Sequence, residues 1–410
     1  MALAGSTIDH LIATAIFLAA LLIFVSLFNQ MIQTVILYQR NRTIATKCSD
    51  LLDAILLNPG YPLKYVNDVP IEWGKLNRTP TIFGLQDPEF TQYRLSPFSL
   101  MRLHSSIGRE IYYPGTGEYY SNITMGLGSF LLVSSAITLN YTTVATMLGI
   151  NGTYGFQLAL TPLIDVSIIE SHEGNPLTLN VIVSGTGVPL ANATISCILV
   201  KVKNGEDYPL YDIITYNDLY TNNEGLCVLN FQNVNARESY AFIAYACLGG
   251  IVGVGYHQRI IAESHVIPLV ENVAEGHVIL AHSVDILGVG ASPVNYTATF
   301  IILNQDFSLS QVILEEPYGE VIPGGYTILP IPTQTIEHGI LAVAYQQSDN
   351  KTGIVLMPWG VSSLGFPIVF GDNFEGKTWI ATDIRHVLVG GVAYEAKLAL
   401  WSLEGYGVMG

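Results

Sequence analysis

The chain opens on an unbroken hydrophobic stretch: from Leu11 to Leu37 no position is charged. As a helix this run is roughly 40 Å long, enough to cross the hydrocarbon of a bilayer. The pattern then changes without stopping. Beyond Arg40 and Arg42, apolar residues recur at Ile44, Cys48, Leu51, Leu52 and Ile55, the i, i+4, i+7 spacing of a helix with one buried face. Asn58-Pro59-Gly60 ends it. Residues 1–60 are therefore predicted to contain one rod of about 50 residues, roughly 75 Å long, uniformly apolar in its first half and amphipathic in its second.

Polar residues qualify the apolar half. Ser26, Asn29, Gln30 and Gln33 recur every three to four positions and share one side of the helix, where hydrocarbon would leave them unsatisfied. This stripe calls for a protein neighbour. Arg40, Arg42 and Lys47 follow the span, while Met1 to His10 offers only Asp9 and the amino group, so the positive-inside rule puts the carboxyl side in the cytoplasm. The rest of the chain reads as extracellular. The conflict eases if the rod is in lipid only temporarily and ends packed among copies of itself.

After the rod the periodicity shortens to two. Residues 61–162 form a mixed α/β connecting region, with a short helix expected at 97–104, another at Tyr141 to Leu148 ended by Gly149, and a strand through Phe156, Leu158 and Leu160. In residues 163–262 the sets Leu177, Leu179, Val181, Val183; Ala193, Ile195, Cys197, Leu199; and Cys227, Leu229, Phe231 alternate inward as in a β-sandwich. Residues 263–410 continue as short strands and form a second β-domain. It ends in a hairpin about Gly390-Gly391, with Val392, Tyr394, Ala396, Leu398 and Leu400 on one side. The fold class expected is a long N-terminal helix followed by a mainly-β region, an Ig-like sandwich plus a second β-domain.

Only 12% of the 410 residues are charged, 50% are hydrophobic and 23 are tyrosines, more apolar content than one membrane span explains. Such a surface is expected to be covered by neighbours or glycans. The net charge of −16 with no basic cluster argues against nucleic acid. Asn-X-Ser/Thr sequons are over-represented, and Asn122, Asn140, Asn151, Asn192, Asn295 and Asn350 are the expected sites of N-linked glycans, placing this half outside the cell. Asn41, on the rod, and Asn77, followed by Arg-Thr-Pro, are weaker sites. Cys48, Cys197, Cys227 and Cys247 lack metal-site spacing; a disulfide is expected among Cys197, Cys227 and Cys247, with the pair left open.

Gly5-Ser6-Thr7-Ile8-Asp9 followed by the uncharged run resembles the signal and core helix of type IV pilins, specifically archaeal pilins and archaellins. The resemblance implies a prepilin peptidase, assembly machinery, membrane insertion before assembly, and rods that form a filament axis. Cleavage between Ala4 and Gly5 would put Asp9 five residues into the mature chain, where its carboxylate could neutralise a neighbour's amino terminus. Met1 to Ala4 departs from the family in carrying no Lys or Arg. An atypical cleavage site, missing upstream residues and an uncleaved anchor each account for that. Separately, Gly187-Val188-Pro189-Leu190-Ala191-Asn192-Ala193 and the later Thr221-Asn222-Asn223-Glu224-Gly225 resemble the frame of Ig-like modules in bacterial and archaeal surface proteins. That match implies a fold and no activity.

Catalytic patterns are missing. The nine histidines form no H-E-x-x-H or i, i+4 pair, no G-x-S-x-G occurs, and the glycine-rich pieces lie among strands instead of opening a helix. No cofactor or metal is expected, and no enzymatic role. The sequence thus points to a structural subunit of a glycosylated extracellular filament that polymerises with itself through Asp9, Ser26, Asn29, Gln30 and Gln33. The alternative is a single-span, membrane-anchored adhesin or envelope protein.

Overall fold

The computed structural model describes all residues except 1, 67–68, 77, 91–92, 104–109, 127–128, 333–337, 361–362, 364, 378 and 404–410. A single helix, α1, runs from Ala2 to Leu56. No proline interrupts it, and Pro59 stops it. Gly60 turns the chain with φ +74°, and a Cβ there would lie 2.7 Å from the Trp73 ring. From residue 9 to residue 39 every side chain of α1 is exposed. Burial starts beyond Arg40: Ile44, Cys48, Leu51, Leu52, Ile55 and Leu56 are all buried. The stripe expected from spacing is the stripe that packs.

A five-stranded sheet receives it, in the order Ile368–Gly371, Tyr154–Pro162, Val392–Ser402, Ala381–Val389, Arg94–Leu95. The C-terminal hairpin carries the contact. Cys48 Sγ lies 3.4 Å from the Leu398 carbonyl and 3.6 Å from that of Ala381. Arg385 reaches Asp53 Oδ1 at 3.2 Å and Ser49 Oγ at 3.2 Å, and Arg40 donates to Ser402 Oγ at 2.9 Å. From the adjoining loop, the Leu85 amide donates to the Ile55 carbonyl at 2.8 Å. Polar bonds thus fix the helix against sliding, while its apolar stripe supplies most of the stabilisation.

An eleven-stranded sheet makes up most of the body. Its path is Leu309–Val312, Val294–Leu303, Gly339–Gln347, Thr352–Trp359, Ser129–Ser134, Val266–Asn272, His277–His282, Tyr326–Pro330, with Ile111–Tyr113 and Glu118–Gly126 branching at Ser129–Ser134 and Tyr318–Val321 pairing with Val294–Leu303. The sheet curls far enough for Thr327 Oγ1 to donate to the Glu320 carbonyl at 3.1 Å. Strands from residues 61–162 and from the C-terminal part therefore share both sheets. The two segments, expected as a connecting region and a separate domain, build one body.

The sandwich is inserted between Tyr154–Pro162 and Val266–Asn272. One sheet contains Ile164–His172, Leu177–Gly185, Val188–Pro189 and Leu226–Phe231; the other contains Leu210–Tyr220, Thr194–Lys203, Tyr240–Leu248 and Ile251–Arg259. Ile195, Cys197, Leu199, Phe242 and Ala244 face the core between these sheets. Ile198, Val200, Val202, Ala241, Ile243 and Tyr245 face the main body. A sheet covered on both sides reads as a nearly continuous apolar run, as Ile195–Val202 does. Tyr211 and Tyr245 seal the junction, their hydroxyls donating to the carbonyls of Ala342 at 3.2 Å and Ser363 at 2.9 Å.

Candidate functional site

The candidate site is the projecting half of α1. Its large apolar side chains, from Leu11 to Tyr38, are between 41% and 70% exposed. Each gains about 1.5–3 kcal/mol when fully buried, so this surface needs a cover. Mean hydropathy reaches 2.8, and among the described residues this is the one helix long and apolar enough to cross a membrane.

Polar groups on this half fall into two sets. Thr14 and Thr34 fold their hydroxyls back onto the carbonyls of His10 and Gln30, at 2.8 and 2.9 Å, and so satisfy themselves. Ser26, Asn29, Gln30 and Gln33 lie within about 100° of arc, all exposed, with no side-chain hydrogen bond among the described residues. The carboxamides of Asn29, Gln30 and Gln33 can both donate and accept, which suits a ladder between like helices. Asp9 is also exposed, on a different azimuth.

The other predicted sites are scattered. Asn140, Asn151, Asn192 and Asn350 are exposed, the last two at positive φ in turns. Asn140 accepts from the Thr143 amide at 2.9 Å, and Asn151 Nδ2 lies 3.2 Å from Thr146 Oγ1. Asn295 differs in being half-buried; its Nδ2 donates to the Asp207 carbonyl at 2.7 Å. Asn122 lies in the strand Glu118–Gly126, its side chain outside the described residues, as is all of Asn77. All four cysteines are free thiols. Cys197 and Cys227 share the sandwich core and Cys247 lies outside it. Burial, with the Cys227 thiol adding to it, pushes Cys197 up to about 12.

Buried charges had no local signal in the sequence. Arg102 is buried, and its guanidinium donates to the carbonyls of Trp73, Leu76, Arg78 and Ile137 at 2.5 to 2.8 Å. Burial lowers it to about 10. Glu72 is 4% exposed; its Oε1 is 3.7 Å from Lys75 Nζ, and its Oε2 has no hydrogen-bond partner. Burial raises this carboxyl to about 7 against the pull of Lys75. It faces a cavity of about 30 Å³ that Asp87, Arg94 and His338 also line. A second recess of about 250 Å³ is lined by Glu118, Glu271, Glu275 and His277, with His277 Nδ1 3.3 Å from Glu275. Across the sandwich, Glu170 accepts from Tyr240 at 2.6 Å and Arg259 at 3.0 Å. Each of these clusters ties strands or loops together. Among the described residues none brings three acidic, histidine or cysteine side chains into an arrangement for a metal.

No family model matches the chain, and no curated protein does. Solved structures overlap it faintly. Trypsin-activated alpha-2-macroglobulin from Escherichia coli aligns at 10% identity and TM-score 0.21, over 66% of this chain and 20% of that one. Methylamine-reacted Salmonella alpha-2-macroglobulin aligns at 10% and 0.20, over 55% and 17%. Red sea bream transglutaminase aligns at 13% and 0.17, over 59% and 37%. The chain thus spans well under half the length of each, and overlaps this small carry no argument about fold or activity.

Proposed function

We propose that this protein is a structural, pilin-like subunit of an extracellular cell-surface filament. It is inserted in the membrane before assembly, and afterwards its rods form the axis while the β-body faces outward. The observation that carries this reading is the division of one continuous helix: exposed on every side from residue 9 to 39, then clamped to its own body from Ile44 to Leu56. A membrane anchor alone needs only apolar residues. The stripe of Ser26, Asn29, Gln30 and Gln33 favours a proteinaceous neighbour, and copies of the same rod supply it. A prepilin peptidase and an assembly machine are the partners this route requires. The exposed Asn140, Asn151, Asn192 and Asn350 would carry the glycans of the outer surface, and the role is non-enzymatic.

A second reading is the single-span adhesin or envelope protein, in which the same clamp would hold the body at the membrane. Shearing intact cells separates the two. A filament subunit is released as a sedimentable helical polymer without detergent; recovery only from detergent-solubilised membranes refutes the filament.

A further inference from the structure

Just beyond the apolar run, α1 carries three cations, Arg40, Arg42 and Lys47, and no acid occurs between Asp9 and Asp50. The whole chain has 33 acids against 17 Lys and Arg, so this interval reverses the general charge. Arg40 is held by Ser402 of its own body. Arg42 is exposed and Lys47 half-buried, and neither makes an ion pair or a side-chain hydrogen bond among the described residues. Their height is set by the unbroken helix: Arg42 stands about 6 Å and Lys47 about 14 Å above Tyr38, the last large apolar side chain exposed on the rod. If the apolar run spans a bilayer, the headgroup layer fills about 5–7 Å beyond the hydrocarbon, and Arg42 lies within it. Side chains on a helix lean toward its N-terminus, here toward the bilayer, so the long stem of Lys47 brings its ammonium down to the same layer. Ile44, about 9 Å above Tyr38, is already buried by the body, so no thick layer of water separates body from lipid.

We infer that Arg42 and Lys47 bind the phosphates of anionic lipids and so seat the β-body on the bilayer surface before assembly. The inference rests on the membrane insertion that both readings above share, and not on polymerisation. Charge complementarity selects the partner, since an anionic surface repels the rest of a chain of net charge −16 and attracts only this neck. Arg42 offers a planar fork that matches a phosphate at two oxygens, and Lys47 a mobile point charge. The two lie about 140° apart around the axis, so each takes its own lipid on its own side of the neck. Cations beyond the span are at odds with an outward-facing body under the positive-inside rule. As a lipid contact they have a use on that side.

The full chain reconstituted in bilayers of phosphatidylcholine and phosphatidylglycerol tests the contact. Each lipid is supplied in turn with a photoreactive group at the top of its acyl chain, and its cross-links to the peptide containing residues 40–47 are counted by mass spectrometry. One cation near an anionic surface is worth about a fivefold preference, so wild type is expected to favour phosphatidylglycerol at least about fivefold at low salt. Most of that preference should vanish in 1 M salt, where charges are screened beyond about 3 Å. Arg42→Gln combined with Lys47→Gln should fall below about twofold, whereas the exchange of Arg42→Lys with Lys47→Arg should keep the preference. Near-ultraviolet circular dichroism of the β-body should not change in either variant. Equal cross-linking of the two lipids to wild type at low salt overturns the contact, as does an undiminished preference in the double glutamine variant; both leave the membrane insertion standing. Release of wild type from the bilayer by alkaline carbonate overturns the insertion itself.

Discussion

Replacing Glu72 with Gln isolates one ionisable group in the interior of the body. Its carboxyl is buried, with one oxygen unpartnered and a pKa of about 7 against an ordinary 4.5. Folding therefore raises its proton affinity. The stabilisation is fully present below pH 4.5, where both states are protonated, and it is lost as pH rises through 7, where the folded chain must hold a charge in a desolvated site. A rise from 4.5 to about 7 corresponds to about 3 kcal/mol. The carboxamide of the variant cannot ionise, so Glu72→Gln should be about 3 kcal/mol more stable relative to wild type at pH 8 than it is at pH 4.5. Urea unfolding of both full-length chains in the same detergent, at half-unit steps of pH, reads this directly. Comparing the two chains removes the opposing slope of His265, which burial holds below its ordinary value. Parallel profiles between pH 4.5 and 7 would refute the assignment of a protonated carboxyl to Glu72.

Two further outcomes follow from the burial pattern. Leu52, wholly buried between α1 and the C-terminal hairpin, should cost about 2–5 kcal/mol when changed to Ala, measured by the same unfolding assay; a cost under about 1 kcal/mol would mean that the helix is not seated as described. Glycopeptide mass spectrometry of protein from its natural cells should find glycan at the exposed Asn192 and Asn350 and little at the half-buried Asn295; full occupancy at Asn295 would contradict its burial.

Much of the fold was legible because it is periodic. Ile44, Cys48, Leu51, Leu52 and Ile55 announce their face by spacing alone, and Val392 to Leu400 announce theirs by alternation. Both depend only on neighbours in the chain. The association of Ser129–Ser134 with Val266–Asn272 and Thr352–Trp359 depends on strands more than a hundred residues away, and no turn residue records it. Reading Ala193, Ile195, Cys197 and Leu199 as the inward set was half of the truth. Ile198, Val200 and Val202 between them were the sign of a second covered face. At the candidate site the polar stripe was readable from spacing, whereas Asp9 was picked out by the resemblance alone. Arg102 was not readable, because its charge is answered by carbonyls that the fold brings near, and Glu72 was not, because Lys75 three residues on marks an ordinary exposed pair while its burial comes from the fold.

Cys48 and the Leu398 carbonyl it touches are separated by 350 residues. The socket for the rod is thus among the last parts of this sequence to be synthesised, whereas the rod is among the first. During translation α1 must wait, its amphipathic half uncovered, until the closing hairpin arrives. A lipid surface is a natural place for that wait, and a chain stopped before Ala381 would lack the hairpin that seats the rod on its body.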